Sequence, residues 1–185
     1  YGTRSTRRTK RHAGRVSKMG LIYVAESWLA QGVRETGGSN KGPDVSWIIH
    51  DGGGSPKRRP PWCAYFVSSC VRTVARVLGP LPYMPRTGRA VSVYQKAPAD
   101  RQIAPDDIWE QSPEGLLFVR TRLSKPETDA AKARRGMSRQ GHTGVVISID
   151  PDAREVHLIS GNSSGFGHSH VGGSGAVARE TIREG

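Results

Sequence analysis

"PPWCAYFVSSC", residues 60–70, sets two prolines and a tryptophan directly before a cysteine and then runs into an apolar segment. From Trp62 to Leu78 there is no Gly or Pro. Phe66, Cys70, Val74 and Val77 fall on one helical stripe, with Ala64, Val67, Val71 and Leu78 beside it. A segment apolar nearly all round predicts a central, buried helix, and Gly79 and Pro80 predict its end. Cys63 then occupies the first turn. There the unpaired backbone N–H groups and the helix dipole favour the anionic form of a thiol. The same N–H groups are placed to hold the oxyanion of a tetrahedral acyl intermediate. The competing reading is a small buried hydrophobe, and that is the reading Cys70 takes in mid-helix.

The rest of the fold is read outward from this helix. Upstream, "SKMGLIYVAESWLAQG" puts Leu21, Val24, Ala25, Trp28 and Leu29 on one stripe, with Ser17 as N-cap and Gly32 as the stop. "VRETGGSNKGPDV" is a loop that leads into a shorter helix from Pro43 to His50, and "HDGGGSPKRRPP" is a second loop. Residues 80–115 are broken by Pro and Gly and admit short elements only, among them a helix around Gly88 to Tyr94. Four β-branched segments follow, Gly115 to Arg122, His142 to Asp150, Arg154 to Asn162 and Gly175 to Ile182. "DPDA" joins the second to the third as a hairpin turn. Between the first two strands lies a polar insertion at 123–140, where Ser124 and Glu127 have capping-box spacing for a short helix. Helices first and hairpin-linked strands afterwards predict an α+β fold, its antiparallel sheet packed on the Cys-bearing helix.

Length and charge bound the function. A chain of 185 residues holds one core, read as a domain over 19–185, and no apolar run approaches the roughly 20 residues of a membrane span. The first residue is Tyr1 rather than Met, and no apolar leader follows it, so a trimmed or partial chain is expected. Of the net charge of +12, residues 1–18 contribute seven Lys or Arg and no acid. That stretch reads as a basic flexible arm drawn to polyanions, whether nucleic acid, anionic cell-wall polymer or acidic lipid. It has no aromatic residue beyond Tyr1 to stack on bases. Cys63 and Cys70 lie seven residues apart on one helix, about 10 Å between Cα atoms, which is too far for a disulfide. Their spacing does not match a zinc knuckle, and no phosphate-binding Gly-x4-Gly-Lys run occurs.

A nucleophilic cysteine needs a base, and the base needs a group that fixes its tautomer. Of the six histidines, His12 belongs to the arm, His50 ends a short helix, His157 lies within a strand, and His168 and His170 lie in a glycine-rich loop. His142, opening a strand after a glycine, is the best placed. The following hairpin returns "ISGN" alongside it and makes Asn162 the candidate orienting group. His168 and His170 have the spacing of a metal pair but no evident third ligand. Asn162-Ser163-Ser164 is a formal glycosylation sequon.

These residues resemble a known family. "PWCAYFVSSC" is similar to the Trp-Cys-Ala-x-Phe-Val motif that opens the central helix of CHAP-type domains in the NlpC/P60-like cysteine peptidase superfamily. "GHTGVVISID" resembles its Gly-His-x-Gly-hydrophobic strand, "ISGNSSG" the next strand, and "GSGAVARETI" the closing one. "GVRETGGSNKGPDVSWII" resembles the approach to the Cys helix in a subgroup of phage and bacterial cell-wall hydrolases. The likeness runs in order over about residues 19–183.

It implies a papain-like fold, with Cys63 as nucleophile, His142 as base and then acid, and Asn162 as the orienting group. Many members carry a carboxylate two positions before that Asn, where this chain has Ser160. Other branches carry a second His, which keeps His157 as an accessory candidate. Glu35 matches a recurrent Glu of the subgroup and is either a surface acid or a tie between its loop and the Cys helix. Trp62 either lines the substrate groove or packs in the core. The Asp-rich calcium loop of some relatives is not recognisable in "HDGGGSPKRRPP", so neither metal nor cofactor is expected. The 123–140 insertion is longer than in relatives and would serve as a lid or docking surface.

The expected function is therefore a cysteine-dependent peptidoglycan hydrolase, an endopeptidase or an N-acetylmuramoyl-L-alanine amidase. It would act at the bacterial cell wall from outside the cell or from a phage particle. The alternative is a noncatalytic, basic virion or nucleic-acid-associated protein that uses the same fold as a scaffold.

Overall fold

The computed structural model describes residues 20–113, 115–121, 141–163 and 175–183. The basic arm with Ser17, the 123–140 insertion with Ser124 and Glu127, and His168 and His170 lie outside these residues. Four helices, α1 (20–30), α2 (Pro43–Asp51), α3 (Cys63–Leu78) and α4 (Ala90–Gln95), precede four strands. These are β1 (Leu117–Thr121), β2 (Gly141–Asp150), β3 (Glu155–Ser163) and β4 (Ala176–Arg183). They form one antiparallel meander in the order β1-β2-β3-β4. The α+β order and the antiparallel sheet agree with the reading of the sequence.

The helices form because each buries one apolar stripe. α1 contributes Leu21 and Ala25, with Val24, Trp28 and Leu29 partly covered, and Gly32 at φ 65 follows its end. α2 opens on Pro43, whose missing N–H costs nothing in the first turn, and buries Val45, Ile48 and Ile49. α3 buries Phe66, Val67, Cys70, Val71 and Val74 against α2 and against Val145 and Ile159 of the sheet. Its last turn departs from the expectation. Val77 is 78 % exposed and Leu78 is half in solvent, because the helix outruns the elements it packs on before Gly79 stops it. The opposite face of the sheet is covered by a smaller cluster, Val146, Val156 and Leu158 with Ile108, Trp109 and Phe118.

Two features fix the mouth of α3 on the sheet. Trp62 and Phe66 lie flat on β3 at Gly161. A Cβ there would fall 2.6 Å from Trp62 Cζ3 and 2.7 Å from Phe66 Cβ. The second feature is the 33–35 segment, which is sewn to the start of β4 by Val177 N–H to Val33 O (2.9 Å) and Glu35 N–H to Gly175 O (2.8 Å). From that anchor the Glu35 carboxylate accepts a hydrogen bond from Trp62 Nε1 at 2.9 Å.

A Gly161→Ala substitution forces the tryptophan or the strand to move and is expected to cost about 1–3 kcal/mol through overpacking. Urea unfolding of the two proteins checks this. A midpoint unchanged by the methyl group would mean that α3 does not rest on β3 as described.

Candidate active site

Cys63 begins α3 directly after Trp62. No side chain caps this N-terminus, and the first helical bond is donated by Phe66 N–H to Trp62 O at 2.8 Å. The N–H groups of Cys63, Ala64 and Tyr65 therefore have no intrahelical acceptor. The residue is nearly buried, with 6 % of its surface exposed, and both cysteines are free thiols. Cys70 is fully buried in mid-helix, where burial first and the Asp51 charge second push its thiol far above the usual range.

His142 is the second residue of β2 and is buried. Its Nε2–H donates to Glu180 Oε1 of β4 at 2.8 Å. Ser160 of β3 donates its hydroxyl to the same oxygen, and Ser163 adds a further hydrogen bond to the carboxylate. The Cys63 thiol acts on the imidazole as a hydrogen-bonding neighbour and as a charge. Full hydrogen-bond geometry is not reached, since Nδ1 is buried without a partner. With Nε2 committed to Glu180, Nδ1 is the nitrogen left for the sulfur.

The electrostatics follow from this geometry. Burial alone would depress the His142 pKa. Hydrogen bonding of the ring to Cys63 and Glu180, with the attraction of both charges, outweighs burial and raises it from 6.5 to about 9. For Glu180, burial pushes upward, but His142, Ser160 and Ser163 bring the carboxyl down from 4.5 to about 2. The ring is thus held as imidazolium against a carboxylate at neutral pH.

Not every predicted residue is part of this cluster. Asn162 does not orient His142. It sits at φ 58 beyond an irregularity in the β3–β4 register, and its Oδ1 faces Gly175, where a Cβ would lie 2.6 Å from both Asn162 Oδ1 and Glu35 Oε1. The orienting role falls to Glu180, which the sequence reading missed. The available signal was an acid on the alternation Glu180, Ile182, whose cross-strand partners Leu158 and Val156 are apolar and buried. Trp62 has no exposed surface, so it packs in the core and lines no groove. Glu35 is buried and is the tie to the Cys helix rather than a surface acid. His157 bonds Thr181 Oγ1 at 3.0 Å and faces Glu155. It is paired with Ser148, six residues along β2 from His142, about 20 Å away, and cannot substitute for it.

Among the described residues no three His, Cys, Asp or Glu side chains gather as a metal site, and no helix is long and apolar enough to cross a membrane. A surface hollow of about 260 Å³ lined by Arg72, Arg76 and Met84 belongs to the second half of α3, away from Cys63. Compared with models of protein families, with curated proteins and with solved structures, the chain matches none.

The pair makes stability depend on pH in a defined direction. His142 is raised, so its contribution is complete below pH 6.5 and is lost as pH rises through about 9. Glu180 is lowered, so its contribution is complete above pH 4.5 and is lost as pH falls through about 2. The difference in unfolding free energy between the native chain and Glu180→Gln is therefore expected to be largest between pH 4.5 and 6.5 and to shrink towards pH 9. Denaturant titrations across that range test it. A difference independent of pH would break the assignment.

Proposed function

We propose that the chain is a cysteine-dependent peptidoglycan hydrolase with a papain-like fold of the CHAP type, acting at the bacterial cell wall. The observation that carries this reading is the relay from the Cys63 thiol at a helix mouth through His142 to the buried Glu180 carboxylate. In the reaction the Cys63 thiolate attacks the carbonyl carbon of a peptide or muramyl amide. The uncapped N–H groups of the first turn of α3 receive the developing oxyanion. His142, held as imidazolium, gives its proton to the leaving nitrogen as the C–N bond breaks, which leaves a thioester. The neutral ring then takes a proton from water, hydroxide equivalent adds to the thioester, and the sulfur leaves as thiolate with the imidazolium restored. Glu180 keeps the Nε2–H tautomer throughout and stabilises the charged ring.

The net charge of +12 suits an anionic polymer such as the cell wall, encountered outside the cell or from a virion. It would equally serve a noncatalytic virion or nucleic-acid-associated scaffold, and the two readings separate on activity. Purified cell walls are expected to lose turbidity with the native chain and not with Cys63→Ala, while the circular dichroism of both stays the same. Mass spectrometry of the released muropeptides identifies the bond as stem peptide, cross-bridge or muramyl amide. Walls untouched by the native chain would overturn the hydrolase and favour the scaffold.

For the active enzyme, Glu180→Gln is expected to lower kcat by about 10²-fold or more with little change in KM, because the ring loses its charge partner. Activity of the native chain is expected to fall as pH rises through about 9, where His142 loses the proton destined for the leaving group.

A further inference from the structure

The imidazole of His142 has two neighbours already described, Glu180 from β4 and Cys63 from α3. On its other side along the sheet lies β1, which is an edge strand among the described residues. There Arg120 is the direct cross-strand partner of His142. Opposed residues of an antiparallel pair project to the same face, with Cβ atoms about 4.5–5.5 Å apart. A long guanidinium side chain therefore starts beside the imidazole, and it is exposed.

Among the described residues no ion pair uses this charge. Arg72 and Arg76 face Asp51, Arg179 pairs with Glu26, and Arg183 pairs with Glu155. Among the described residues no carboxylate pairs with Arg120, and the partners of Glu180 are His142, Ser160 and Ser163. An exposed guanidinium is suited to a carboxylate, which it holds through two parallel N–H···O bonds.

We propose that Arg120 is a specificity-determining residue that binds a free carboxylate of the peptide substrate beside the amide attacked by Cys63. The inference rests on the reading of Cys63 as nucleophile. The preferred substrate is then an acidic peptide with its carboxylate within about one residue of the scissile bond, since that is the spacing set by adjacent strands. Peptides amidated at that carboxylate lose the contact.

The test uses the full chain and two thiol reagents that differ only in a carboxylate for an amide, iodoacetate and iodoacetamide, with Cys63→Ala as the background. Arg120→Gln is expected to slow alkylation of Cys63 by iodoacetate about tenfold, the loss of one charge-assisted contact, and to leave iodoacetamide within about twofold. Arg120→Lys is expected to fall between. In parallel, digestion of native cell walls by Arg120→Gln should fall about tenfold, and digestion of walls whose carboxylates have been amidated should match the native chain. An iodoacetate to iodoacetamide ratio unchanged by Arg120→Gln overturns the proposal. A ratio that falls while the native chain digests no wall preserves the anion subsite and overturns the hydrolase reading instead, so the two failures are distinct.

Discussion

The contact on which the site depends is the buried hydrogen bond between His142 Nε2 and Glu180 Oε1. It joins the first residues of β2 to the last strand across β3, and it is made at a depth where an unpaired ion of either sign would be costly. The serines solve the remaining accounting. Ser160 and Ser163 satisfy the carboxylate, so that the acid stays ionised although burial opposes it. Because the acid is ionised, the imidazole can be charged. Because Nε2 is used, Nδ1 is the nitrogen left towards the helix mouth. Every proton position proposed in the reaction is set by that one choice of tautomer.

A tautomer is of use only if the sulfur is held opposite it, and this is a problem of rigid packing. The Cys63 helix is anchored by Phe66, Val67, Cys70 and Val71 in the main core. Its mouth is placed by closer contacts, Trp62 against the bare backbone of Gly161 and the Trp62 indole N–H on Glu35. Glu35 in turn is fixed by backbone bonds between the 33–35 segment and the start of β4. Glu180 lies five residues further along that same strand. Cys63 and the carboxylate that holds His142 are thus both referred to β4, one through Glu35 and Trp62, the other directly.

Most of the architecture was legible because it is written in periodicity. The stripe from Leu21 to Leu29, the uninterrupted run after Trp62 and the four alternating segments each lie within two residues or so of the observed elements. Cys63 and His142 were legible as types in place, a thiol at a helix start and a histidine at a strand start. What failed was the part that depends on register. Asn162 stood at a plausible distance along the chain, but an irregularity near the end of β3 and a positive φ turn its amide to Gly175. The fate of Trp62 depended on whether a Cβ opposed it at position 161, and Glu35 on a tie that is visible only once Trp62 is placed. Glu180 required knowing which strand neighbours β3, and pairing across a sheet is not encoded in any local window.

A carboxylate in the orienting position, where the sequence pointed to the Asn162 amide, changes what the imidazole can do. The carboxylate stands on β4 at Glu180, and Ser160 of the neighbouring strand donates its hydroxyl to it. A neutral amide would fix the ring's orientation but do little for its charge, whereas Glu180 does both, and Cys63 and Glu180 together raise the His142 pKa to about 9. In the proposed reaction the imidazole therefore begins as an acid rather than a base. Arg120, opposed to this histidine across β1 and β2, has no carboxylate partner among the described residues. An edge-strand arginine opposed to a charged histidine is consistent with a site completed by the negative charge of its substrate.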